Sequence, residues 1–378
     1  MEIDKASRQL FSLALYLNKL SPGAVSENWI DKEIIKEILG QLPKTIDLEE
    51  ETFEINSQIS LLTDSRRKIY LNELLQSITH QLRSVDKEES EVPLEEFLSS
   101  CFGIHIERVS EIELSRLDKE ISELESKARS TRQDTFKKRR VNSRSVQKQI
   151  TEQIGKIKEK LTDRFYYPTE EGLEIKTVSR RPWTAFTEHV APFRSKLSVN
   201  TDTEFTDLGI TRLAIHEGYG GHHTELTLKD RMLIEEGRAE HGFVLTYSPQ
   251  TFMSEAIAEA APYIFGLLPD TYDLKLVMAY YHLELALQNA VAFMHFADNA
   301  GKTEIETLLS KFGLSDESKK NIHKFATNTQ WGRYSAIYYP AFHFLMRIYK
   351  NVTDEKAFIN EIYTDPVTPN LLLSSYSA

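Results

Sequence analysis

What this chain of 378 residues lacks excludes several classes of protein at once. It has a single cysteine, Cys101, so it can form no disulfide of its own and no thiolate cluster around a metal. A metal site would have to be built from histidine and carboxylate. It has no apolar run of about 18 residues, the length a membrane-spanning helix needs. It has no excess of positive charge: 46 Lys and Arg stand against 57 Asp and Glu, for a formal net charge of −11. That balance argues against general affinity for nucleic acid, because phosphate binding needs a positive surface. The opening stretch, MEIDKASRQLFSLALYLNKL, has no basic start leading into an unbroken apolar segment. It does not read as a signal peptide, and a cytoplasmic protein is the simplest expectation.

What is present is an ordinary globular composition, 40% hydrophobic and 27% charged, with enough length to bury a substantial core. Apolar residues spaced by three and four predict helices over 6–20, 29–40 and 65–84, the first stopped by Ser21-Pro22-Gly23. Leu114, Leu117, Ile121, Leu124 and Ala128 form a coiled-coil-like seam, expected to serve packing within the chain or a contact in a homodimer. A second seam follows at Val146, Ile150, Ile154, Ile157 and Leu161. The basic run between them, Lys137-Lys138-Arg139-Arg140 with Arg144, reads as a solvated turn or face between two antiparallel helices rather than a nucleic-acid site.

Residues 166–210 change character. Pro168, Pro182 and Pro192, aromatic residues between Trp183 and Phe193, and period-two runs at 173–179 and 193–200 predict two or three short strands. Helices are then expected over 208–223, 224–246, 250–266, 272–299, 302–312, 315–328 and 332–350, a spacing with no room for a βαβ sheet. The expected fold is mainly α, with an N-terminal helical region (1–165) holding a coiled-coil-like hairpin. A second region (166–378) would combine a small antiparallel β-sheet with a helical catalytic part.

The most specific feature is LAIHEGYGGHHTEL, residues 213–226. In zinc peptidases with an HExxH helix the two histidines sit at i and i+4, so one helical face offers both to one metal while the adjacent Glu is the general base. Here His222 and His223 lie further from His216. Two turns of unbroken helix span about 10 Å along the axis, too far for one tetrahedral metal. The helix must therefore unwind between them, and Gly218, Gly220 and Gly221 are the residues that permit it. Gly221-His222 fits the Gly-His of an HExGH-type site with an insertion, which favours His222 as second ligand and keeps His223 as the alternative. Zn2+, one per chain, is the expected ion. Glu235, Glu236 and Glu240 are available as carboxylate ligands. His241, His282, His295, His323 and His343 are expected to be core or surface residues.

HEGYGGHH resembles the HExxPGHH signature of a large zincin-like family, catalogued as a domain of unknown function and related to gluzincin peptidases and carboxypeptidases. Gly220 stands where that family has proline. The family's F-x-EGWA motif is similar to Phe252-Met253-Ser254-Glu255-Ala256-Ile257-Ala258, with Ala-Ile in place of Gly-Trp. Segments 287–314, 333–340 and the ending FINEIYTDPVTPNLLL extend the likeness over roughly 200–375. The resemblance implies a gluzincin-like catalytic region with Glu255 as third zinc ligand, and Glu259, one turn on, as the partner of a ligand histidine. It implies a metallopeptidase, a carboxypeptidase or oligopeptidase acting on a peptide or small amide, with Glu217 as general base. Tyr338, Tyr334 or Arg333 would then stabilise the oxyanion. A zinc amidohydrolase for a non-peptide amide, or a non-catalytic binding or scaffold protein on the same fold, are the alternatives that the departures from the motifs keep open.

Overall fold

Asp, Ser and Thr caps open helix after helix in the computed structural model, which describes residues 3–27, 32–85, 87 and 92–376. Asp4, Asp64, Ser110, Thr206, Ser248 and Thr271 each accept a hydrogen bond from a backbone N–H of the first turn, satisfying donors that the helix itself leaves orphaned. In chain order the elements are α1 (Lys5–Leu20), the short strand β1 (Val25–Glu27), α2 (Lys32–Gln41), α3 (Leu48–Ser60), α4 (Ser65–Ser84), α5 (Leu94–Phe102), α6 (Glu111–Ala128), α7 (Arg132–Arg139) and α8 (Val146–Leu161). Three strands follow, β2 (Gly172–Val178), β3 (Ala185–Ala191) and β4 (Arg194–Asn200). Then come α9 (Asp207–Glu217), α10 (His222–Glu236), β5 (Phe243–Leu245), α11 (Pro249–Ile264), α12 (Tyr272–Phe296), α13 (Lys302–Ser310) and α14 (Asp316–Ala326). The chain closes with the single turn α15 (Gly332–Ser335), α16 (Tyr338–Tyr349), α17 (Glu355–Thr364) and α18 (Pro369–Tyr376).

The protein is mainly α, as expected, and the helices at 65–84 and 146–161 fall where the periodicity puts them. The helix expected over 29–40 is α2, and residues 29–31 lie outside the described residues. The helix expected over 224–246 stops at Glu236 because Gly237 takes a left-handed backbone, φ +65°, a common helix ending. Residues 243–245 instead form β5, paired antiparallel with β1. The expected helix over 332–350 is broken after Ser335. The basic run lies mostly in the last turn of α7, where Lys137, Lys138 and Arg140 are exposed, so it is a solvated face rather than a turn; Arg139 bonds Asp207 and Asp273, and Arg140 bonds Glu204.

In the three-stranded sheet β4 lies in the middle, antiparallel to β3 and parallel to β2. The antiparallel hairpin matches the expectation; the parallel third strand arises because the β2–β3 connection carries the chain past β4's place to the far edge. The largest buried cluster runs from Val92 to Leu372. The expected boundary at 165 falls inside it, with Ile150, Ile154, Ile157 and Leu161 on one side and Leu197 and Val199 on the other. A second cluster joins α1, α3 and α4 to Phe243 and Leu245 of β5.

The two seams serve different partners. Leu114, Leu117 and Ile121 of α6 are buried along α12, whereas α8 packs along α9. Burying each aliphatic side chain of α8 contributes about 1.5–3 kcal/mol, so α8 is the seat on which the histidine-bearing α9 rests. Among the described residues no helix is long and apolar enough to cross a membrane.

Candidate metal centre

The last turn of α9 carries His216 and Glu217, both buried. The helix stops there because the glycines after it let the backbone double back. Gly220 adopts φ +100°, and a Cβ on Gly221 would lie 1.8 Å from the carbonyl oxygen of His216, an approach only glycine allows. The expected unwinding therefore occurs over 218–221. Proline, with φ fixed near about −65°, could not occupy position 220 in this turn, so the loop differs from that of an HExxPGHH sequence. The turn is clamped from outside: Thr224 Oγ1 accepts from Gly220 N–H at 2.9 Å, and Tyr363 of α17 donates its hydroxyl to the Gly220 carbonyl.

The turn sets His222, the first residue of α10, beside His216, with ring centroids 4.8 Å apart and planes nearly perpendicular. Glu255 of α11 completes the group. Its Oε2 lies 3.5 Å from His216 Nε2 and 3.6 Å from His222 Nε2, and all three donors fall within 4.8 Å of one another. Ligand atoms about 2.1 Å from a tetrahedral zinc stand about 3.4 Å apart, so the set fits such an ion. A second observation agrees: Glu255 Oε2 is buried and accepts no hydrogen bond, a costly state for a carboxylate oxygen that a cation between the three donors would relieve.

Each donor is held from behind. Tyr334 donates its hydroxyl to Glu255 Oε1 at 2.7 Å. His216 Nδ1 faces Glu259 Oε1 at 3.2 Å, off the hydrogen-bond axis. Glu259 in turn accepts from Tyr281 at 2.5 Å and lies 3.8 Å from Arg212, whose guanidinium stacks on the Tyr281 ring. His222 Nδ1 lies 3.0 Å from Ser254 Oγ.

Electrostatics make the group a cation trap. Burial alone would lower the His222 pKa, but the carboxylates of Glu255, Glu217 and Glu225 outweigh it and hold the ring up at about 9. Burial pushes Glu259 up, yet His216, Arg212 and the Tyr281 hydroxyl bring it down to about 2. Glu255 is lowered likewise, the two histidines prevailing over its burial. Glu217, the last residue of α9, is buried and follows His216 directly, and its charge helps to raise His222. Burial first, then the negative charge of Glu255, raises the Tyr338 phenol well above its ordinary value. Tyr338 packs edge-on against Tyr334.

The other candidates go elsewhere. His223 is fully buried and turned away, Nε2 2.7 Å from Glu171 Oε1 and Nδ1 2.8 Å from Ser195 Oγ, so it ties α10 to β4. Glu235 and Glu236 are exposed, and Glu240 is buried against Arg67 and Ser7 of the N-terminal helices. The Arg333 guanidinium lies over the rings of Phe97 and Phe296. His241 stacks on Tyr70, and His282 lies tilted against Phe342. Sequence reasoning missed Arg212, Tyr281, Ser254 and Tyr363. Two of these positions carry a usable signal: Arg212 is one turn before His216, and Ser254 directly precedes Glu255.

No family model matches the chain, and no curated protein matches it in sequence. Solved structures do resemble it. One is a protein from Colwellia psychrerythraea, provisionally described as a lipoprotein, at a TM-score of 0.56 and 13% identity, the match covering 97% of this chain and 69% of that one. Another, from Shewanella oneidensis and provisionally described as a lipoprotein of unknown function, aligns at a TM-score of 0.50 and 12% identity, covering 98% of this chain and 83% of that one. At such identities the likeness shows a shared fold.

Proposed function

We propose that the protein is a zinc-dependent hydrolase, a metallopeptidase of the gluzincin type acting on peptides or small amides. The observation that carries the proposal is the convergence of His216, His222 and Glu255 on one space, with Glu217 following His216 directly. The reading places the chain with the zincin-like family that its 216–223 segment resembles. A zinc ion held by these three residues would supply a Lewis acid that acidifies water toward neutrality and polarises a carbonyl.

The chain's own residues do the rest. Glu217, buried and next to His216 in the chain, accepts the proton of the attacking water and returns it to the leaving amine. Tyr338 is the better candidate for an oxyanion donor, since it packs against the Tyr334 that holds Glu255 and its phenol, raised well above the ordinary value, keeps its proton. Tyr334 is committed to Glu255, and Arg333 to its aromatic neighbours. The same reading keeps the cytoplasm as the location.

The test is a pool of short peptides incubated with the zinc-loaded protein and its Glu217→Gln variant. Turnover should fall by about 10²-fold or more in the variant, with zinc content unchanged. Equal cleavage by both would overturn the general-base role.

A further inference from the structure

His222 is held by a chain of polar groups, Glu225 and Lys229 buried and Ser254 half-buried, that the hydrolytic reading does not use. Ser254 Oγ sits 3.0 Å from His222 Nδ1 and 2.5 Å from Glu225 Oε2. Glu225 Oε1 accepts from Lys229 Nζ at 2.5 Å. Glu225 and Lys229 are both buried, and with His222 they lie on one face of α10, three and four residues apart. Ser254 reaches them from α11, one position before Glu255.

Counting protons along this chain fixes the state of the histidine. A carboxylate facing an ammonium has only acceptors to offer, and a serine hydroxyl has one proton and two lone pairs. Ser254 therefore gives its proton to Glu225 and can only accept at its other side. What it accepts is the proton on His222 Nδ1. When the ring gives up its second proton to bind a metal, it keeps the one on Nδ1 and offers a bare Nε2, the nitrogen 3.6 Å from Glu255 Oε2. A hydroxyl turned the other way would donate to Nδ1 and leave the proton on Nε2, a tautomer that cannot bind a metal there.

We propose that Lys229, Glu225 and Ser254 are a positioning relay that selects the Nδ1–H tautomer of His222 and so makes Nε2 a metal donor. The inference rests on the metal reading above. It makes a specific statement about Glu225→Gln. Lys229 still demands the side-chain oxygen, so the amide NH2 must face Ser254. The hydroxyl then accepts from the amide, and its own proton, no longer taken by Glu225, turns to His222 and favours the wrong tautomer. Adding Lys229→Met frees the amide to rotate, present its oxygen to Ser254 and restore the right one.

The experiment measures zinc affinity of the full-length protein by competition with a chelator, alongside thermal unfolding of each variant. Glu225→Gln and Ser254→Ala should weaken binding by about 10–100-fold, as lost partners of metal-bound histidines do. Ser254→Thr should keep wild-type affinity, and Glu225→Gln with Lys229→Met should bind more tightly than Glu225→Gln alone. A general loss of packing would not be rescued by a second substitution. If Glu225→Gln fails to fold, the Ser254→Ala and Ser254→Thr pair decides the matter. Wild-type affinity in Ser254→Ala overturns the relay while leaving the metal reading intact. Failure of the unaltered protein to bind zinc overturns both.

Discussion

Glu255 divides its two oxygens between two tasks: Oε1 accepts the Tyr334 hydroxyl at 2.7 Å, which turns Oε2 toward His216 and His222. A phenol that holds a ligand carboxylate contributes to metal affinity without touching the metal. Tyr334→Phe should keep the ring packing against Trp331 and Tyr338 and lose only this bond. Zinc affinity is expected to fall by about tenfold or more, read by chelator competition, with little change in melting temperature.

The glycine turn is a second point where one atom decides the outcome. A methyl at Gly221 would collide with the His216 carbonyl, so Gly221→Ala should cost at least ~2 kcal/mol and shed metal together with stability. Gly155 is the control. It lies on the exposed face of α8, and a methyl group there would meet nothing within 4 Å. Gly155→Ala should stabilise by about 0.5–1 kcal/mol. Denaturant unfolding of the two variants checks both signs.

Acid stability follows from buried groups away from the three donors. Burial holds His241 and His282 down at about 4, against 6.5 when unfolded. Their folded pKa is depressed, so the unfolded chain takes up protons first. Stability is full above 6.5 and is lost as pH falls toward 4. Burial raises Glu171, but the hydrogen bonds from His223, Lys158 and Tyr219 win and hold it at about 2 against 4.5. Its contribution is present above 4.5 and disappears as pH falls toward 2. Urea midpoints should therefore drop in two stages on acidification. His241→Phe should flatten the first stage, and Glu171→Gln the second.

Fold and site are legible in the amino-acid order wherever a local rule applies. The seam of α8, the helix at 65–84 and the need for a break between His216 and His222 all follow from spacing within a few residues. The same logic fails where a distant segment decides. β5 forms because β1 pairs with it from the far end of the chain, and a three-residue strand inside an apolar helical pattern gives no sign of that. Arg333 reads as an oxyanion donor because it stands next to Tyr334 and near Tyr338; packing turns it onto Phe97 and Phe296 instead. Ser254 and Glu225 belong to the histidine only because α10 and α11 meet there.

The most direct measurement is the zinc content of the purified protein and two single variants by elemental analysis. His222 faces His216 and Glu255, while His223 faces Glu171. The prediction is one zinc per chain in the unaltered protein and in His223→Ala, and loss of the metal in His222→Ala. Less than about 0.3 zinc per chain in the unaltered protein after gentle handling, or retention by His222→Ala with loss in His223→Ala, would contradict it.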